Sequence, residues 1–146
     1  MMNNLENITE YFKNANVLFL EYSSNNNFNY STLLQKKFSN LLVSCTISDA
    51  LVKVQNKNID LIIIEINGNS TERLELINNL RNKHNIIVLF DQIEVGLLRA
   101  ILKLQLDGYI DTKSLYEDLD RAIDKLVNNK KNIQFSQNEQ NYYTQY

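Results

Sequence analysis

Apolar residues in this chain come in short unbroken runs separated by segments where they recur every three or four positions, a strand-then-helix rhythm repeated five times. Residues 17–20, Val-Leu-Phe-Leu, form the first run and end at Glu21-Tyr22. The polar segment 23–29 follows, and Asn29 or Ser31 is placed to cap a helix reaching about Phe38. Residues 41–46 predict a second strand; Ser48 as N-cap and Asp49 in the first turn predict a helix with Ala50, Leu51 and Val54 inward. Residues 59–68 hold six aliphatic positions, three of them consecutive isoleucines, and so predict a central strand covered on both faces. Leu74, Ile77 and Leu80 mark the next helix, residues 86–90 a fourth strand, 93–106 a fourth helix and 108–110 a short fifth strand. Ser114-Leu115-Tyr116-Glu117 has the capping-box pattern, ahead of a last helix with Leu115, Leu119, Ala122, Ile123 and Leu126 on one face.

Five such units predict an α/β fold: a three-layer, doubly wound, five-stranded parallel sheet of flavodoxin-like order 2-1-3-4-5, because each crossover must be right-handed and cover a sheet face. The domain is expected over residues 16–130, after an N-terminal extension (1–15) whose Leu5, Ile8, Tyr11 and Phe12 suit a short helix, and before a polar tail or linker (131–146). In this order the ends of the first and third strands are neighbours at the switch point where open α/β sheets bind ligands. Glu21 is thereby placed beside Glu65, and two adjacent carboxylates repel unless a cation or a proton is shared.

Composition narrows the function classes. With 146 residues the chain can bury one core without disulfides or metals. Fifteen basic and 17 acidic residues, net charge −2, give no electrostatic case for nucleic acid. The single cysteine, Cys45, lies in an apolar run and reads as a buried reduced thiol. No apolar run approaches the roughly 18 residues of a membrane span, and residues 1–11 are too polar for a signal peptide, so a cytoplasmic protein is expected. His84, the one histidine, reads as a solvated loop residue and supports neither a zinc site nor a nucleophile.

The acids Glu21 and Glu65 at strand ends, the spacing to Leu74-Glu75-Leu76 and the Gly108-Tyr109-Ile110 strand resemble the receiver domain of bacterial two-component response regulators, over residues 16–129. The resemblance implies an aspartate acceptor of a phosphoryl group at the position of Glu65, magnesium held by two acids after the first strand and by the carbonyl of Asn67, a hydroxyl at the end of the fourth strand and a lysine at the end of the fifth. Here the acceptor is lengthened to Glu65, and the acid pair is Glu21 with Tyr22. Phe90 falls at the hydroxyl position and Thr112 at the lysine position, with Lys113 one residue late. Tyr109 stands at the family's aromatic switch position, where ordinary packing is the competing reading. A shift of one residue turns a side chain to the other face, and one added methylene displaces a carboxylate from an in-line donor. The resemblance therefore implies a degenerate, non-enzymatic receiver: a phosphorylation-independent interaction or dimerisation module with no cofactor beyond weak magnesium at Glu21, Glu65 and Asn67. The alternative is a working acceptor that uses magnesium and a displaced Lys113; a nucleotide-binding flavodoxin-like protein is a third reading.

The fourth helix carries an inference of its own. Ile93, Leu97, Ala100, Ile101 and Leu104 cluster on one side, while Val95, Leu98, Leu102 and Leu106 cluster on the opposite side. A helix of a three-layer sandwich has one side to bury, so the second stripe is a candidate contact for a protein partner or a second copy. The family resemblance also implies an interaction face on the fourth helix, fifth strand and fifth helix. The competing reading is that residues 1–15 or the tail cover the stripe.

Overall fold

The computed structural model describes residues 13–22, 30–68 and 70–143, with side chains to residue 129. Elements follow the chain as β1 (Asn16–Leu20), α1 (Tyr30–Lys37), β2 (Asn40–Ser44), α2 (Ile47–Asn56), β3 (Leu61–Gly68), α3 (Thr71–Leu80), β4 (Ile86–Ile93), α4 (Val95–Leu102), β5 (Gly108–Asp111) and α5 (Leu115–Tyr143). A 3-10 turn, Thr112–Ser114, joins the last two. All four strand pairings are parallel and the order is β2-β1-β3-β4-β5, the doubly wound arrangement expected from the sequence.

Strand alternation divides the core in two. Val17, Phe19, Leu61, Ile63, Ile87 and Leu89 face α1 and α5, meeting Leu34, Leu119, Ile123 and Leu126. Leu18, Leu20, Ile62, Ile64, Ile66, Ile86 and Val88 face α2, α3 and α4, meeting Ala50, Leu76, Ile77, Leu97 and Ile101. β1 and β3 sit in the middle of the sheet, and Val17 to Leu20 and Leu61 to Ile64 are at most 1 % exposed. Both strands read as continuous apolar runs for that reason.

Several boundaries differ from expectation. Thr46, not Ser48, caps α2: its hydroxyl accepts the Asp49 N–H at 3.1 Å, so the helix starts two residues earlier than a Ser48 cap allows. No capping box opens α5; the Asp111 carboxylate instead accepts the Lys113 N–H at 3.0 Å and starts the 3-10 turn. The expected tail is helical as far as Tyr143, giving α5 29 residues and a length of about 43 Å. Cys45 is exposed rather than buried, because β2 stops at Ser44. Leu5, Ile8, Tyr11, Phe12 and Asn29 lie outside the described residues, and Ser31 lies within α1.

The fourth helix is the largest correction. Ile93 belongs to β4, paired with Gly68 across an irregularity after Ile66, and α4 ends at Leu102 rather than at residue 106. Gln105 then adopts a positive φ of 53° and redirects the chain, so that Leu104 and Leu106 pack back against the second core.

Candidate functional site

The carboxyl ends of β1, β2 and β3 meet at a cleft of about 530 Å³, lined by Tyr22, by Cys45 to Ser48 and by Ser70 to Arg73. The first turns of α2 and α3 open into it. Parallel strands ending together leave their last carbonyls without ladder partners, and the residues that satisfy them decide what this edge can do.

Most of that satisfaction comes from Arg73, a residue absent from the sequence-based site. Although charged, it is only 7 % exposed. One guanidinium nitrogen donates to the carbonyls of Leu20 (3.1 Å) and Glu65 (2.7 Å); the other donates to Glu21 O (2.8 Å) and approaches Cys45 O at 3.5 Å. The guanidinium carbon lies 5.2 Å from the centre of the Tyr22 ring, a cation–π distance. One side chain thus ties three strands together. A signal for it existed, since Arg73, Leu76, Ile77 and Leu80 follow the i, i+3, i+4, i+7 spacing of a buried stripe with an arginine in its first place.

Glu65 is 2 % exposed, and the chain itself occupies both of its oxygens. Oε1 accepts the Tyr22 N–H at 3.0 Å and Oε2 accepts the Asn67 side-chain amide at 3.2 Å. Burial pushes this carboxyl above the usual glutamate range; the Tyr22 N–H, the Asn67 amide and the Arg73 charge pull it down, and Glu21 adds to the upward push. Burial correspondingly lowers the Arg73 guanidinium, against the opposing effect of the Glu65 charge. Arg73 bonds the carbonyl of Glu65, not its carboxylate.

Glu21 does stand near Glu65, as the strand order requires, but its Oε1 accepts the Cys45 thiol at 3.2 Å. That bond is the leading reason the Cys45 thiol titrates above its ordinary range, the opposite of an activated thiolate. Asn67 is occupied at every polar atom named: its carbonyl accepts the Ser70 hydroxyl at 2.8 Å, Oδ1 accepts the Asp91 N–H at 2.9 Å and Nδ2 bonds Glu65. Gly68 follows with φ +65°, a conformation that favours glycine and turns the chain towards α3. Among the described residues no three His, Cys, Asp or Glu side chains gather closely enough to hold a metal ion.

Phe90, Thr112 and Lys113 are not brought together with Glu65. Phe90 pairs with Ile66 and packs in the second core, whereas Glu65 pairs with Leu89 and by alternation lies on the opposite face. The ring therefore does not face the carboxylate. Tyr109 packs in the same second core, with its hydroxyl accepting the Leu106 N–H at 2.6 Å and lying 3.5 Å from Leu102 O, which holds it at the end of α4. Thr112 begins the 3-10 turn and Lys113 is exposed there. Of the contact stripe, Val95 (62 %) and Leu102 (49 %) are exposed and Leu98 is half-buried, but Leu106 has joined the core. At the other end of the sheet His84 is half-buried in a polar groove with Arg81 and Lys83; burial, then the Lys83 charge, lowers its pKa.

No family model, curated protein or solved structure matches the chain. No helix of the described residues is long and apolar enough to cross a membrane.

Proposed function

We propose that the chain is a receiver-like module that works without a phosphoryl cycle, as a protein-interaction or dimerisation domain inside the cell. One observation carries this reading: both oxygens of the nearly inaccessible Glu65 carboxylate are held by Tyr22 and Asn67 of the same chain. An acceptor must present a free oxygen in line with an incoming donor, with cations to balance the transferred charge. Here the nearby guanidinium is committed to carbonyls and Lys113 projects from a surface turn. Partner contact is assigned to the α4–β5–α5 side, where Val95 and Leu102 leave apolar surface exposed.

The test is incubation with acetyl phosphate, and separately with beryllofluoride, in the presence of magnesium, read by intact mass and thermal unfolding. No adduct and no magnesium-dependent shift are expected. A phosphoryl adduct on Glu65 establishes the working acceptor in place of the silent module.

A further inference from the structure

Asn67-Gly68 is the one asparagine–glycine step in the chain. An asparagine side chain is lost when the nitrogen of the following peptide attacks its amide carbon, and glycine favours this attack because it has no side chain to obstruct the approach. The reaction involves three groups, and the fold holds each of them. The peptide that supplies the nucleophile is held at its carbonyl, where Asn67 O accepts the Ser70 hydroxyl at 2.8 Å. The oxygen that gains charge during the attack, Oδ1, accepts the Asp91 N–H at 2.9 Å. The nitrogen that leaves, Nδ2, donates to Glu65 Oε2 at 3.2 Å. Gly68 itself is exposed, so solvent stands beside the step. We propose that Asn67 is a deamidation site of this protein, restrained by Glu65 and Ser70 and modified when the end of β3 opens.

In the open state the Gly68 nitrogen gives up its proton to solvent and bonds the Asn67 Cγ. The Cγ–Nδ2 bond breaks, and Nδ2 takes up a proton and departs as ammonia. Water then cleaves the cyclic imide on one side or the other, leaving aspartate or isoaspartate, with no change of oxidation state. In the closed state the side-chain amide is fastened at both ends, which keeps Cγ from swinging onto the Gly68 nitrogen. Aspartate at this position lacks the NH₂ that Glu65 accepts, and it adds a third carboxylate to an edge that already holds Glu21 and Glu65. Isoaspartate also lengthens the backbone beside Gly68, whose carbonyl accepts the N–H of Glu94, the N-cap of α4, at 3.0 Å. Either product loosens the end of β3 irreversibly. The inference does not depend on the receiver reading.

Wild type is incubated in warm neutral buffer, folded and in urea, and conversion at Asn67 is followed by peptide mass spectrometry, with fragmentation separating it from Asn69. Folded wild type is expected to convert at least about thirtyfold more slowly than the chain in urea, the ratio set by opening two ordinary hydrogen bonds. E65Q, which loses the bond to Nδ2, is expected to convert about fivefold faster than wild type while still folded. Folded wild type that converts as fast as the chain in urea overturns the inference. So does folded E65Q that converts no faster than wild type, because Glu65 then does not restrain the leaving nitrogen. If E65Q is unfolded by circular dichroism, S70A takes its place: faster conversion supports the inference, and an unchanged or slower rate overturns it.

Discussion

Replacing Glu65 with glutamine isolates the electrostatics of the sheet edge. The amide preserves size and keeps an acceptor for the Tyr22 N–H, but it opposes one NH₂ to the Asn67 NH₂ and loses the 3.2 Å bond made there. At acid pH, where wild-type Glu65 is already neutral, that loss leaves E65Q less stable by about 1 kcal/mol. Raising the pH changes the comparison. Because the folded-state pKa is raised above the ordinary value of 4.5, the native protein holds a proton that the unfolded chain has released. The stability this group contributes is therefore fully present below pH 4.5 and is lost as pH rises through the folded pKa, at about 1.4 kcal/mol per pH unit across the interval. E65Q has no such proton, while His84, Cys45 and the other titrating groups act in both proteins and cancel in the difference. Urea denaturation of both proteins at half-unit steps from pH 4 to 8 measures the gap. It should narrow with rising pH and then level off. A constant gap, or one that widens with pH, refutes the reasoning, since it means that the hydrogen bonds and Arg73 outweigh burial and that the carboxylate is at home at this edge.

Gly68→Ala should destabilise by about 1 kcal/mol in thermal unfolding although nothing lies within 4 Å of the added Cβ, because the φ of +65° is unfavourable for alanine. Tyr109→Phe removes the acceptor of the Leu106 N–H and should lower stability by about 1 kcal/mol by urea denaturation, with the effect concentrated in hydrogen exchange of the α4–β5 loop. V95E and L102E change exposed positions, so each should leave monomer stability within about 0.5 kcal/mol while abolishing self-association or partner binding in light scattering. Retained association in both variants moves the contact surface away from α4.

What the sequence revealed and what it hid follow from the range of the interactions concerned. β1 and β3 were legible because a strand covered on both faces must be apolar at every position, and Leu119, Ile123 and Leu126 were legible because one helical face meets one sheet face. The end of α4 was hidden: Leu104 and Leu106 keep the helical period, yet the positive φ at Gln105 takes them out of the helix, and nothing in the periodicity marks that break. The family resemblance puts Phe90 at the hydroxyl position, but position along the chain does not fix the face of the sheet, which the Ile66–Phe90 pairing sets. Arg73 was passed over because arginine in a helix is usually solvated; only the carbonyls at three strand ends, those of Leu20 and Glu21 more than fifty residues earlier, explain its burial.

Those carbonyls also bear on why the edge, on the proposed reading, stays silent. An incoming phosphoryl group brings close to two negative charges, and an aspartate or glutamate acceptor works only when surrounding cations outweigh its own charge. At this edge Glu21 and Glu65 contribute two carboxylates against one guanidinium, and that guanidinium spends its hydrogen bonds on backbone oxygens of the strand ends. Turning Arg73 towards a phosphoryl group would strand buried carbonyls, at about 1–3 kcal/mol each, before any compensating contact formed. The arrangement that makes Arg73 a good clasp for three strands therefore makes it a poor phosphate ligand. On the proposed reading, a charged edge fixed in this way leaves partner contact to surfaces that remain free, which directs the search to α4 and its neighbours rather than to the cleft.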